Sequence, residues 1–233
     1  MHVCNRIGCK SKLLGKVAGE YAAILLLLLA MNILLATSNR HKLEEVQAIL
    51  CSRGVQVFGL NEHERLINEP VEDADTFAGN ARLKAVGYAK ATNKRCMADD
   101  SGLVVDVLNG EPGIYSARYA GVGATREERD LANNKLLLEN LLKTREKESA
   151  ARFICALCIA DPDGTIVAES EGAFEGVITT TPRGVNGFGY DPLLFLPDVG
   201  MTSAELSTKA KNARSHRSVA LRKILPLLEI SQQ

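Results

Sequence analysis

Apolar and polar residues alternate along the chain in two rhythms, and the switches between them divide it into elements. Asn32 to Ala36 is a short continuous apolar run, which reads as a buried strand. It ends in the polar turn Thr37-Ser38-Asn39, after which Leu43, Val46, Ile49 and Leu50 share one face of a helix. Val55 to Phe58 predicts a second strand. Glu62 to Asp75 reads as an acidic, irregular connection holding Glu64, Glu69, Glu72 and Asp73. Thr76 is placed to cap a helix from Phe77 to about Ala91, where Phe77, Ala81, Ala85 and Tyr88 or Ala89 recur at helical spacing. Asn80 and Lys84 lie one turn apart on that helix and can face one cleft.

The chain is organised around residues 98–121, ADDSGLVVDVLNGEPGIYSARYAG. Asp99 and Asp100 end a short apolar run, and Ser101 and Gly102 lead into a new alternating strand, Leu103 to Leu108. Adjacent side chains at a strand end point to opposite faces, so one carboxylate can face a cleft while the other braces the backbone. A carboxylate held there suits a Mg²⁺ ligand or a base for water. A plain Asp-Asp-Ser-Gly turn between two strands accounts for the same residues. Earlier, the strand, turn and helix opening at Thr37 to Lys42 offers N–H groups and a helix dipole to an anion, with Lys42 one turn in. No GxxxxGK sequence is present, and on local grounds alone a plain strand-turn-helix with a surface lysine is the favoured reading.

Further along, Thr125 and Glu128 form a capping box for a helix reaching about Leu142. Arg152 to Ala160 and Thr165 to Glu169 predict a hairpin around Asp161-Pro-Asp-Gly164, followed by a separate strand, Gly172 to Thr179. The next segment carries Gly184, Gly187 and Gly189, which let the backbone pass close to a ligand and present Phe188 and Tyr190. Thr202 and Glu205 form a second capping box for a helix to about Ala213. Ser215-His216-Arg217 then opens a last amphipathic helix with Leu221, Ile224, Leu225 and Leu228 inward. Lys209, Lys211 and Arg217 make a basic cluster suited to a nucleotide, while His216 at a helix start reads first as structural.

Composition narrows the classes. The 28 Lys plus Arg balance 28 Asp plus Glu, so no whole-chain field points to nucleic acid or an acidic membrane. No Trp, five Tyr and six Phe argue against an aromatic nucleic-acid platform. Among Cys4, Cys9, Cys51, Cys96, Cys155 and Cys158, only Cys155 and Cys158 have CxxC spacing, and no second pair completes a metal site. Buried free thiols in a reducing cytoplasm are the expectation. Lys10, Lys12 and Lys16 precede the apolar run Ala22 to Ala30, which resembles a signal peptide and is short for a membrane span. That run continues through Met31 into the first strand without a small-x-small cleavage site. Residues 1–30 are therefore expected to be an extension outside the fold, with Met31 as the start and 31–233 as one α/β domain.

Five motifs, in order, resemble the inosine triphosphate pyrophosphatase family: TSNRHK (37–42), EDADTFAGNA (72–81), the central stretch (98–121), GFGYDPLLF (187–195) and SHR (215–217). The resemblance runs from Met31 to Glu229. It implies an elongated mixed central sheet flanked by helices, with two lobes and an active-site cleft between them, usually in a homodimer. It further implies a cytoplasmic, Mg²⁺-dependent enzyme with no nucleic-acid or membrane partner. Such an enzyme hydrolyses ITP, dITP and XTP to monophosphate and pyrophosphate, clearing non-standard purines before they enter DNA or RNA.

Carried over by position, Thr37, Ser38, Asn39, Arg40, His41 and Lys42 would hold the triphosphate, with Lys42 the principal cation. Glu72 and Asp100 would hold Mg²⁺, and Asp100 would also act as base toward water. Asp99 would support them, and Ser101 would contact the nucleotide. Phe188 would stack on the base, with Gly189, Tyr190 and Asp191 completing that wall. Lys211, His216 and Arg217 would contact the base, where their donors suit a 6-oxo group. Ser38 stands where the family more often has Gly, and Gly79 where it often has Glu. Two other readings stay open: a pyrophosphatase for other modified triphosphates, and a non-catalytic nucleotide-binding module.

Overall fold

A computed structural model of the chain describes residues 32–50, 55–144 and 148–230. The expected extension, Met31, Cys4, Cys9 and Cys51 lie outside the described residues, as does the side chain of Leu228. Among the described residues, seven strands form one sheet in the order β2-β1-β3-β4-β5-β6-β7. They are β1 (Asn32–Leu35), β2 (Gln56–Gly59), β3 (Cys96–Val105), β4 (Glu148–Ala160), β5 (Ile166–Thr179), β6 (Leu194–Leu196) and β7 (Met201–Thr202). β1 runs parallel to both β2 and β3, and the remaining pairs are antiparallel, so the sheet is mixed as expected. The helices are α1 (Arg40–Leu50), α2 (Phe77–Thr92), α3 (Arg126–Lys143), α4 (Thr208–Arg214) and α5 (His216–Ile230).

Strand alternation sorts the core onto two faces. Ile33 and Leu35 of β1, Met97 of β3 and Cys155, Leu157 and Ile159 of β4 pack with Val46 and Leu50 of α1 and Leu221 and Ile224 of α5. Leu34, Ala36, Cys96, Ala98, Ala156 and Cys158 pack on the other face against Ala81, Ala85, Tyr88 and Ala89 of α2. A third cluster joins Leu137 and Leu141 of α3 to Leu103, Phe153, Phe174 and Ile178. Thr76 caps α2 by accepting the Gly79 N–H, and Thr125 with Glu128 closes a capping box on α3. Among the described residues, no helix is long and apolar enough to cross a membrane.

Four boundaries differ from the sequence reading. Asp99 and Asp100 end no strand: β3 runs through them, paired to Leu157 and Ala156 of β4. The long ladder, with cations on both faces, overrides the local turn preference of Asp-Asp-Ser-Gly. β3 then stops at Val105, and Asp106–Leu108 is a 3-10 turn. The two strands expected at 165–169 and 172–179 are one strand, β5, whose Gly172 leaves room for α5; a Cβ there would collide with the His216 carbonyl. The helix expected from Thr202 to Ala213 is broken. Thr202 and Glu205 cap only a 3-10 turn, Leu206 is extended, and Ser207 caps the separate α4.

Candidate active site

β1 pairs with β3 only as far as Leu35 opposite Met97. Beyond that point the β1-side edge of β3 has no strand beside it among the described residues, and a pocket opens there. From Leu103 on that edge is covered, the Leu103 N–H donating to Ser116 Oγ and the Val105 N–H to the Glu111 carbonyl. In the gap before it, side chains from both faces of β3 reach the pocket, and Asp99, Asp100 and Ser101 all line it.

On one side stands the turn after β1. Thr37 Oγ1 accepts the Asn39 N–H at 3.1 Å, and Asn39 Oδ1 accepts the His41 N–H at 3.1 Å, so the turn organises its own entry into α1. Thr37, Ser38, Asn39 and Lys42 line the pocket. Lys42 Nζ lies 3.0 Å from Asp99 Oδ2, and Arg217 Nη2 lies 3.1 Å from the same oxygen. Burial alone would raise the Asp99 carboxyl, but Lys42, Arg217 and Lys84 outweigh it and hold it well below the usual carboxylate range.

On the other side stands α2. Asn80 Nδ2 donates to Asp100 Oδ2 at 3.2 Å, and Lys84 Nζ lies 3.4 Å from Asp100 Oδ1 and 3.2 Å from Glu72 Oε2. Here burial wins: with Glu72 adding to it, the Asp100 carboxyl is raised despite Lys84 and Lys42. Glu72 and Asp100 thus reach the Lys84 ammonium from two elements, and both line the pocket. Two hard oxygen donors on one side of a pocket fit Mg²⁺, whose other positions are ordinarily filled by water and substrate phosphate. No group of three or more His, Cys, Asp or Glu is placed to hold a metal among the described residues, so the chain would supply these two ligands.

The third wall is the glycine-rich loop. Gly187 and Gly189 have φ of +78° and +62°, a left-handed backbone that glycine adopts without strain. Asp191 ties the loop together: Oδ2 accepts the Phe188 N–H at 2.8 Å and Lys211 Nζ at 2.5 Å, while Oδ1 accepts Ser203 Oγ at 2.7 Å. From α3, Asp130 accepts the Gly189 N–H at 2.9 Å. Phe188 faces the pocket, with the His41 ring stacked at 5.6 Å, Arg126 Cζ at 4.7 Å and Lys211 Nζ at 5.0 Å. His216 also lines the pocket, stacked on Phe153 at 5.2 Å, and its buried Nδ1 has no hydrogen-bond partner among the described residues. Burial, together with Arg217 and Lys211, drives its pKa well below the usual histidine range, so the ring is neutral.

The model of the Ham1 family matches residues 33–227. The chain belongs to the Ham1 family. It is 46% identical over 198 residues to the dITP/XTP pyrophosphatase of Bacillus licheniformis, covering 85% of this chain and 98% of that protein. Against the dITP/XTP pyrophosphatase of Thermus thermophilus it is 44% identical over 199 residues, covering 85% and 92%. A Ham1 protein structure from Coxiella burnetii superposes with a TM-score of 0.74 at 35% identity, covering 87% of this chain and all of that one. The Staphylococcus aureus Ham1 protein gives 0.72 at 38% identity, covering 85% and 98%.

Against this family background, some expected roles move. Arg217 is fully buried behind Asp99, held by Glu45 and Asp99, and does not line the pocket, so it supports the site from below. Arg40 points to solvent and pairs with Glu44 at 2.7 Å, away from the pocket lining. His41 meets the Phe188 ring and is likewise absent from that lining. Tyr190 lines the pocket with Phe188, Gly189 and Asp191 as expected, but it is buried there, its hydroxyl donating to the Ser116 carbonyl at 2.9 Å. Lys209 is exposed, leaving Lys211 as the pocket member of the basic cluster. Cys155 and Cys158 are buried free thiols, both pushed up to about 12 by burial. The sequence reading missed Glu45, which anchors Arg217 and Lys211, and Arg126 over Phe188. Glu45 lies one turn after Lys42 on α1, which was the signal available for it.

Proposed function

We propose that the chain hydrolyses ITP, dITP and XTP to the nucleoside monophosphate and pyrophosphate, with Mg²⁺ held by Glu72 and Asp100. The carrying observation is the pocket itself: Lys42 and the Thr37–Asn39 turn, the Glu72–Asp100 pair and the Phe188 ring line one continuous site. Mg²⁺ bound there supplies charge neutralisation for the phosphate oxygens. Lys42 adds a fixed ammonium at the start of α1, where the helix dipole also favours the triphosphate. Water adds across the α–β anhydride. Its proton passes to Asp100, whose raised pKa suits a base more than that of Asp99 does. Most of the rate comes from positioning and electrostatics, as is usual in phosphoryl transfer.

Phe188 offers a stacking face for the base. With Arg217 buried, Lys211 and His216 remain as the groups that meet the 6-oxo edge. A hypoxanthine or xanthine oxygen accepts where the amino group of adenine would donate, and a site built on such a bond can discriminate by about 10⁴-fold. The family resemblance supports a cytoplasmic homodimer that clears non-standard purines from the nucleotide pool, with balanced charge giving no reason to bind nucleic acid. Sedimentation tests the dimer.

The testing experiment is pyrophosphate release from ITP, XTP, GTP and ATP, each with and without Mg²⁺. Release from ITP and XTP that requires Mg²⁺ supports the proposal. Turnover indifferent to the base keeps the metal site and points to other modified triphosphates. No turnover on any substrate, with binding retained, makes the chain a non-catalytic nucleotide-binding module.

A further inference from the structure

The two carboxylates proposed as metal ligands come from different elements, Glu72 from the connection before α2 and Asp100 from the middle of β3. Asn80 is the side chain between them. It is fully buried in the first turn of α2. The Ala74 N–H donates to its Oδ1 at 3.0 Å, and a backbone N–H can only donate, so the orientation of the amide is fixed. Its Nδ2 is therefore turned toward Asp100 Oδ2, at 3.2 Å. One neutral amide thus ties the backbone two residues after Glu72 to the carboxylate of Asp100.

Gly79 makes this approach possible. A Cβ there would stand 2.6 Å from Ala74 Cβ and 3.0 Å from Thr76 Oγ1, so a side chain would push the connection away from α2. Lys84 meets the same two carboxylates, but as a compact point charge it neutralises them without the directional pairing of an amide. The amide adds no charge and leaves geometry as its contribution.

We infer that Asn80 is a positioning residue: it sets the spacing of the Glu72 and Asp100 carboxylates, and with it the strength with which they hold a divalent cation. The inference rests on the reading of Glu72 and Asp100 as the metal ligands. Outer partners of metal ligands typically carry about 10–100-fold in metal affinity, and that is the effect expected here.

The test is a Mn²⁺ titration of the full chain without nucleotide, read by electron paramagnetic resonance, with thermal melts alongside. Wild type, Asn80→Leu, Gly79→Ala and Asp100→Asn are compared. Wild type binds Mn²⁺ and Asp100→Asn loses it, which assigns the signal to this pair. Asn80→Leu weakens binding by about 10–100-fold, and Gly79→Ala weakens it in the same direction by less. In turnover, the Mg²⁺ concentration for half-maximal rate rises in parallel, while kcat at saturating Mg²⁺ changes little. A folded Asn80→Leu protein that binds Mn²⁺ as tightly as wild type overturns the inference. Should that variant fail to fold, Gly79→Ala decides, since it keeps every hydrogen-bonding group: full affinity overturns the inference and reduced affinity supports it. Wild-type protein that binds no Mn²⁺, or Asp100→Asn that binds it fully, overturns the ligand reading beneath it.

Discussion

On one face of β3, Asp99 meets two cations, Lys42 at 3.0 Å and the fully buried Arg217 at 3.1 Å. On the opposite face, Asp100 meets Lys84 at 3.4 Å and the neutral amide of Asn80 at 3.2 Å. The two residues share a backbone, a residue type and deep burial, yet the first carboxyl is held down and the second is raised. What separates them is the number and distance of facing positive charges, together with the like charge of Glu72 beside Asp100. Asp99 is committed to holding cations in place, whereas Asp100 keeps oxygen available to a metal or to the proton of a water. Strand alternation alone, one residue apart, produces this division of labour.

The division can be broken in several ways. The largest expected effect on stability is from Asp99→Asn, which leaves buried Arg217 with Glu45 as its one carboxylate partner. Removing one member of a buried ion pair costs about 3–5 kcal/mol, measurable by urea unfolding. Asp100→Asn should leave that stability nearly unchanged, because burial already disfavours its charge. Phe188→Ala, on the Asp99 side where His41 and Lys211 meet the ring, should weaken substrate binding by about 1–3 kcal/mol, the usual worth of a base stack. An unchanged KM would show that the ring does not carry the base. Thr76→Ala, on the Asp100 side, removes the cap of α2 and should cost about 1 kcal/mol of stability.

The smallest effect is the pH slope. Asp99 has a folded pKa below its unfolded value, so its contribution is fully present above about pH 4 and is lost as pH falls through the folded value. Wild type should therefore lose stability on acidification below about pH 4 more steeply than Asp99→Asn does. Equal slopes for the two proteins would show that the cations around Asp99 do not stabilise its charge.

Much of this site was legible because its signals are local. Thr76 and the Thr125–Glu128 box mark helix starts through short-range hydrogen bonds, and the one-turn spacing of Asn80 and Lys84 turns both toward Asp100, with Lys84 lining the pocket and Asn80 buried behind it. Opposite faces for Asp99 and Asp100 also followed from local geometry. What was not legible depends on distant partners. The Asp-Asp-Ser-Gly sequence favours a turn, and only the β4 ladder makes it mid-strand. Tyr190 among glycines looks exposed, until Ser116 supplies the carbonyl that lets its hydroxyl be buried. Arg217 reads as a substrate contact in a basic cluster, but Glu45, far away in sequence, draws it beneath Asp99. The broken helix after Thr202 shows the limit of a capping box, which marks a start and says nothing of length.

The most direct test of the account is pyrophosphate release from dITP with saturating Mg²⁺, compared between Asp100→Asn and Asp99→Asn and corrected for the folded fraction of each. General-base removal predicts a loss of about 10²–10⁴-fold for Asp100→Asn at wild-type stability. Asp99→Asn should lose stability and retain more activity per folded molecule. Full activity in Asp100→Asn, with the chemistry lost instead in folded Asp99→Asn, would contradict the division between the two faces of β3.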